Sequence, residues 1–223
     1  IMASPTYRVA EADEEFLARP ELRPVRLQLE ALKPELAQKE HGIVSTIVVF
    51  GSTRIWEPTA AEARLRAAQA RLEVEPGRAE LARDVRIAER LLAKAAYYEH
   101  AREFARMVSS SCQVQGHREF VIVTGGGPGI MEAANRGAFD VHAKSIGLNI
   151  TLLHEQAPNP YITPELCFQF HYFAIRKMHF LMKAKALVAF PGGFGTLDEL
   201  FETLTLIQTG KTPRVPVILF GRS

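Results

Sequence analysis

Cysteine is scarce in this 223-residue chain, which holds only Cys112 and Cys167. The two lie far apart and neither belongs to a Cys-x-x-Cys pair, so the sequence favours reduced thiols in a cytoplasmic protein over a disulfide framework or a zinc site. The net charge of +2 is too small to favour nucleic acid or an anionic membrane as a partner. No apolar run approaches the ~20 residues of a membrane-spanning helix, and no signal-peptide core precedes Arg8.

Short apolar runs alternate with helix-like segments over most of the chain. Strands are predicted at 42–50, 118–124, 144–150, 167–172, 185–190 and 214–220. Helices are predicted as a pair within 58–112 (the second one long), directly after the glycines at 125–129, from about Ala174, and over 196–210. This alternation predicts an α/β, Rossmann-like fold with a mostly parallel, doubly wound sheet of about six or seven strands and helices on both faces.

The amino-terminal region differs from the rest in composition. Residues 1–41 are charged and interrupted by four prolines, which predicts an irregular extension with one or two short helices. The α/β domain is then expected to cover 42–223. Because the chain ends just after a strand-like run, we expect that a further carboxy-terminal element belongs to the native protein.

Glycine-rich loops follow three of the predicted strands. Thr124-Gly125-Gly126-Gly127-Pro128-Gly129 and Pro191-Gly192-Gly193-Phe194-Gly195-Thr196 each join a strand to a helix, and Gly51-Ser52-Thr53 forms a weaker third turn. Ligands of open parallel sheets bind beyond the carboxyl ends of the strands. Free N–H groups at a helix start favour an anion, and glycine lets a phosphate approach them.

The loops therefore predict a phosphate or nucleotide site. Its candidate binding residues are Ser52, Gly125, Gly126, Gly127, Gly192, Gly193, Gly195 and Thr196. Neither loop has the spacing of a P-loop, and the loop at 125–130 does not match the dinucleotide fingerprint. The alternative is that both are merely tight strand-to-helix turns.

Charged side chains near the second loop allow two interpretations. Asp198 and Glu199 follow it directly, and Glu199 could close a capping box with Thr196 as the helix cap. Alternatively, Glu199 faces the sugar of a nucleotide and stabilises an oxocarbenium-like transition state. Arg176 and Lys177 could be a solvated helix end, or could offset phosphate charge, with the arginine holding two oxygens in a fork.

The motifs together resemble a known family. Pro191-Gly192-Gly193-x-Gly195-Thr196-x-x-Glu199, preceded by Arg176-Lys177 and by "GGGPGIMEAANRGA", is similar to the Lonely Guy (LOG) family of cytokinin riboside 5′-monophosphate phosphoribohydrolases. Many members carry the label "lysine decarboxylase". The resemblance covers about 42–221. The segment 145–161 and the amino-terminal extension resemble a longer bacterial branch that includes nucleotide 5′-monophosphate nucleosidases.

The resemblance implies a function for these residues. It implies hydrolysis of the N-glycosidic bond of a nucleoside 5′-monophosphate, AMP or a cytokinin riboside monophosphate, to free base and ribose 5-phosphate. No metal or organic cofactor is implied, and the expected assembly is a homodimer or a higher homo-oligomer. The implied catalytic residues are Arg176 and Glu199, and the implied substrate contacts beyond the loops are Lys177, Thr205 and Glu155. Asp198 departs from the glutamate usual at its position.

Two other functions fit parts of the pattern. A non-catalytic nucleotide-binding protein or molybdenum-cofactor carrier would keep the glycine loops but tolerate loss of Arg176 or Glu199. A pyridoxal-dependent decarboxylase would need a Schiff-base lysine, and the sequence singles out none, because Lys177 already has a role beside Arg176. The presence of both Arg176 and Glu199 favours the hydrolase.

Overall fold

The computed structural model describes residues 1–113, 118–151 and 157–221. Its centre is a six-stranded sheet in which every pairing is parallel. The strands are β1 Thr46–Phe50, β2 Val121–Thr124, β3 Ser145–Ile150, β4 Cys167–Phe170, β5 Ala184–Ala189 and β6 Val217–Leu219. Their order across the sheet is β4-β3-β2-β1-β5-β6. The predicted Rossmann-like fold and its strand number are confirmed.

Eight α-helices surround the sheet in the described part of the chain. They are α1 Glu14–Leu17, α2 Arg23–Glu40, α3 Pro58–Val74, α4 Ala79–Leu92, α5 Ala96–Cys112, α6 Ile130–Phe139, α7 Phe173–Met182 and α8 Phe194–Gln208. Short 3-10 turns occupy Pro5–Tyr7, Ala10–Ala12, Pro20–Leu22 and Pro164–Leu166. Across these ranges no helix combines the length and apolarity needed to cross a membrane. Cys112 and Cys167 are free and half-buried.

The region 58–112 forms three helices, so the prediction of two was wrong. The long second helix is divided at 93–95, where tighter bonds run from Lys94 N to Leu91 O and from Ala95 N to Leu92 O. Alanine, leucine and lysine all favour helix, so the local sequence does not signal this break. The break changes the direction of the chain, so that Tyr98 and Ala101 of α5 are buried in the core that α5 shares with α6.

The amino-terminal extension contains the short helix α1 and, in addition, an 18-residue helix, α2, which is longer than the short helices predicted. Pro34 lies inside this helix without ending it, and Pro34 is itself buried, so packing overrides the proline's cost. The Glu30 side chain accepts hydrogen bonds from the backbone N–H groups of His171 and Tyr172, at 2.6 and 3.1 Å. The extension thus supports the start of α7. A division between extension and domain at residue 41 stays a prediction.

Buried apolar side chains fill both faces of the sheet. Along β1, Val48 and Phe50 join the cluster that includes side chains of α7 and α8, whereas Ile47 and Val49 join the cluster formed with α5 and α6. This alternation follows the two-residue period of a strand. Every residue of β1 is buried, as expected for a central strand covered on both sides.

The direction of the strand order reverses between β1 and β5. These two strands pair directly, and Phe50 at the end of β1 lies opposite Ala189 at the end of β5. Such a reversal opens a crevice at the carboxyl ends of the strands, which is where open α/β sheets bind ligands. The loops that follow β1 and β5, at 51–54 and 190–193, meet at this crevice.

Candidate active site

A cavity of about 600 Å³ lies at the reversal point of the sheet. Its size is within the usual range for small-molecule sites. Loops after β1, β2 and β5 and the first turns of α7 and α8 form its walls. The lining residues are 50–54, Gly125, Met131, Phe173, Arg176, 193–196, Asp198 and Glu199. The structure therefore brings together both predicted catalytic residues and part of all three glycine turns.

The loop between β5 and α8 has a fixed backbone. Ser52 N–H donates to the carbonyl of Pro191 at 3.0 Å, which ties this loop to the turn after β1. A side chain on Gly192 would collide with the Thr196 hydroxyl group, so Gly192 is required for close packing of the loop on its own helix.

The helix that follows begins earlier than the sequence predicted. Residue Phe194 is its first residue and Gly193 its N-cap, with no side-chain cap bond. Thr196 therefore lies inside the first turn, and the capping box of Thr196 with Glu199 was wrong. The helix begins too far upstream of Glu199 for the Glu199 carboxylate to cap it.

Gly193 and Gly195 face open space. A methyl group added at either position would meet no atom within 4 Å, and neither backbone has the positive φ that favours glycine. The fold of this chain therefore does not require glycine at either position. A ligand that approaches the backbone N–H groups closely would require it.

We predict that Gly195→Ala stabilises the protein while weakening nucleotide binding. Gly195 lies within α8, where alanine is more favourable than glycine by up to ~1 kcal/mol. The added methyl group would lie in the cavity, between the N–H groups and the ligand. Chemical denaturation and calorimetric titration with AMP measure the two effects. Gly77→Ala, at another open position away from the cavity, should leave AMP affinity unchanged. Unchanged AMP affinity in Gly195→Ala would count against the phosphate loop.

The loop after β2 is held mainly by internal contacts. Gly126 is buried with φ +77°, and a side chain there would collide with Asn149. The Asn159 side-chain amide donates to the carbonyls of Gly126 and Gly127 at 3.2 and 3.1 Å. Of these three predicted glycines only Gly125 lines the cavity, where a methyl group would come within 2.6 Å of Arg176 Nη2. Gly126 and Gly127 shape the loop instead.

Arg176 is held rigidly from α7. Its Nε donates to the carbonyl of Leu148, within β3, at 2.7 Å, and its guanidinium carbon lies 5.0 Å from the centre of the Phe180 ring. Its Nη1 is 3.9 Å from Glu199 Oε1. Burial lowers the pKa of Arg176, and the neighbouring Glu199 opposes this shift. An arginine remains charged under these conditions, so the cavity contains a fixed cation whose side chain is only 13% exposed.

Glu199 is a buried acid in the cavity wall. Burial raises the pKa of its carboxyl to about 7, against the opposing effect of Arg176 and Lys177. Within the described residues the carboxylate accepts no hydrogen bond, and Arg176 is its ion-pair partner. An acid with a shifted pKa, beside a buried cation in a cleft, is typical of a functional site. Near neutral pH this group can exchange a proton.

Three predicted site residues lie elsewhere. Lys177 Nζ pairs with Asp198 Oδ2 at 2.7 Å and with Glu202 Oε2 at 3.1 Å, and Lys177 lies outside the cavity lining. Thr205 is exposed and donates to the Phe201 carbonyl of its own helix. Glu155 falls outside the described residues. Contact of these three with a substrate stays a prediction.

The cavity also contains residues that sequence reasoning missed, namely Arg54, Met131, Phe173 and Phe194. Phe173 and Phe194 are 52% and 92% exposed, so both rings are free to contact a ligand in the cavity. A signal for these residues was available. Arg54 directly follows the Gly51-Ser52-Thr53 turn, and Phe194 lies within the glycine loop.

Comparison with known proteins finds similarity over parts of the chain. A family model described as "Possible lysine decarboxylase" matches residues 131–223, the part that contains Arg176, Glu199 and the loop at 191–196. The pyrimidine/purine nucleotide 5′-monophosphate nucleosidase of Escherichia coli (strain K12) is 32% identical over 128 residues, or 53% of this chain. The chain spans about a quarter, 27%, of that relative's length.

Two solved structures are also similar. The X-ray structure of TM1055 is 18% identical with a TM-score of 0.47, over 78% of this chain and 72% of that one. The molybdenum cofactor binding protein of the phototrophic bacterium Rippkaea orientalis is 20% identical with a TM-score of 0.43. The match covers 57% of this chain and 68% of that protein.

Proposed function

We propose, on the premise that this chain is a member of the Lonely Guy family, that it hydrolyses the N-glycosidic bond of a nucleoside 5′-monophosphate. The products are the free base and ribose 5-phosphate. The observation that carries the proposal is that the buried Glu199–Arg176 pair and the open glycine loop line one cavity. A similar curated protein is a nucleotide 5′-monophosphate nucleosidase.

The glycine loop provides the phosphate subsite in this proposal. The first N–H groups of an α-helix have no partner within the helix, and those of α8 belong to Phe194, Gly195 and Thr196. Together with the helix dipole they favour an anion at this end. Glu199 follows on the same helix, so a nucleotide held by its phosphate presents its sugar to the carboxylate.

The proposed reaction depends on the positive charge that develops on the ribose. As the bond between C1′ and the base breaks, its electron pair leaves with the base, and positive charge develops on the ribose ring. The Glu199 carboxylate stabilises that charge. Water then adds its oxygen to C1′ and loses a proton to Glu199, whose pKa of about 7 suits a general base. The departing base gains one proton, and Arg176 orients the carboxylate.

We predict that activity depends on pH through Glu199. The ionised carboxylate is the active form, so kcat/KM should rise with pH through the pKa of about 7 and then level off. Steady-state rates of base release at values between roughly pH 5 and 9, with the base quantified by chromatography, measure this profile. A rate that falls as pH rises through this range would show that Glu199 acts in its protonated form, against the proposed role.

A panel of nucleoside monophosphates tests the substrate class. AMP, GMP, CMP, UMP and a cytokinin riboside monophosphate would each be incubated with the protein, and the free base measured by chromatography. The proposal expects release of base from at least one of them, with AMP or the cytokinin nucleotide expected from the family resemblance. No base released from any member of the panel would contradict it. Homo-oligomeric assembly and a cytoplasmic location stay predictions.

A further inference from the structure

The side chains predicted to supply positive charge to the phosphate already contact other groups of the protein. Arg176 donates through Nε to Leu148 and faces Glu199 through Nη1. Lys177 is held outside the cavity by Asp198 and Glu202. A phosphate at the start of α8 would in addition lie near two acids, Asp198 and Glu199, which line the same cavity. A doubly charged phosphate therefore needs a further cation on the cavity wall.

Arg54 is placed to supply that cation. It lies on the turn after β1, and this turn is tied to the phosphate loop by the hydrogen bond from Ser52 N to Pro191 O at 3.0 Å. The backbone N–H of Arg54 donates to Ser52 Oγ at 3.1 Å, which fixes the residue's position. Over the described ranges its guanidinium group has neither an ion pair nor a hydrogen bond, and Arg54 lines the cavity.

We infer that Arg54 is a further substrate-binding residue, whose guanidinium group pairs with the 5′-phosphate across the cavity from residues 193–196. The inference rests on the proposed function of this cavity. Guanidinium donors in a fixed fork match two phosphate oxygens. Arg54 then adds a positive charge beside the phosphate, and it makes the site selective for a nucleotide over the corresponding nucleoside.

Calorimetric titration with ribose 5-phosphate tests the inference without requiring turnover. Arg54→Ala should weaken binding of this probe by about 10- to 100-fold, the range for a lost hydrogen bond to a charged group. Arg54→Lys, which keeps the charge but loses the fork, should fall between Arg54→Ala and the original protein. Arg64→Ala is the matched control, because Arg64 stacks on Trp56 at 4.1 Å and lies outside this cavity. Thermal unfolding checks that every variant folds.

Steady-state kinetics with AMP separate this inference from the proposed reaction. If the inference and the proposed reaction both hold, Arg54→Ala raises KM for AMP by about the factor by which it weakens binding of ribose 5-phosphate. It changes kcat little, since the phosphate contact is the same in the ground and transition states. Loss of ribose 5-phosphate binding in Arg54→Ala, in a protein that cleaves no nucleotide, would support the phosphate contact and refute the nucleosidase. Equal affinity for the probe in Arg54→Ala and the original protein, or no binding by either, would overturn the inference.

Discussion

Glu199→Gln should reduce release of adenine from AMP by about 10²- to 10³-fold, the range seen when one group that stabilises transition-state charge is removed. The amide keeps the size of the carboxyl but cannot carry the negative charge that the ribose cation requires. Because the phosphate loop is unchanged, affinity for AMP should stay within a few-fold. Single-turnover kinetics and calorimetric titration measure the two quantities separately.

Glu202→Gln is the matched control for this variant. Glu202 lies on the same helix, pairs with Lys177 at 3.1 Å, and is outside the cavity lining. It should retain most of the activity. If Glu199→Gln kept the rate of the original protein, or if both variants lost activity equally, the role assigned to Glu199 would be wrong.

The same variant should be more stable than the original protein at alkaline pH. Burial raises the pKa of Glu199 from an ordinary value of 4.5 to about 7. The folded state thus holds the proton more tightly than the unfolded state does, and the stability this provides is lost as pH rises through about 7. Since glutamine does not ionise, Glu199→Gln should raise the free energy of unfolding at about pH 8 by about 2 kcal/mol, and much less near pH 4. Urea denaturation at both pH values measures this difference.

Arg176→Ala should lower both affinity and rate. We expect affinity for AMP to fall by about 10-fold and kcat by about 10²-fold, because a fixed cation in the cavity wall is lost. The acid limb of the pH profile should also move to higher pH, because Arg176 is the main group that lowers the pKa of Glu199. Without Arg176 the ionised Glu199 carboxylate loses the main group that stabilises its charge, so the fold should also be less stable above about pH 7, where Glu199 ionises. Titration, pH-dependent kinetics and urea denaturation measure these effects.

Arg102→Ala separates catalytic loss from simple destabilisation. Arg102 forms an ion pair with Asp140 at 2.6 Å, and both residues lie outside the cavity lining. It should lower stability without changing the pH profile. The account of Arg176 would fail if Arg176→Ala lost stability but kept the affinity, rate and pH profile of the original protein.

Much of the fold could be predicted because the strands carry a clear signal. Runs such as 47–50 are apolar throughout and end at glycine turns, as buried parallel strands do. The helical region 58–112 has no glycine or proline at 93–95 to signal a break. A break between good helix formers depends on how α5 packs on α6. The continuation of α2 through Pro34 likewise depends on burial, which local sequence does not report.

Site residues that belong to a sequence motif could be predicted. Residues whose place in the site depends on helix geometry could be predicted less well. Arg176 and Glu199 follow from the motifs, and both line the cavity. Lys177 is adjacent to Arg176 in sequence, but neighbouring residues on a helix point about 100° apart. Its side chain therefore pairs with Asp198 and Glu202, and Lys177 is not part of the cavity lining. Thr205 is off the face of Glu199 for the same reason, whereas the buried Thr203 follows Glu199 by one helical turn and donates to its carbonyl.

Hydrolysis of AMP in ¹⁸O-labelled water tests the central claim most directly. If the glycine loop holds the phosphate while water attacks C1′ beside Glu199, mass spectrometry will find one label in ribose 5-phosphate and none in inorganic phosphate. Adenine will appear in equal amount. Labelled inorganic phosphate together with adenosine would show attack at phosphorus, and AMP that is bound but recovered intact would indicate a binding protein; either result would contradict the account.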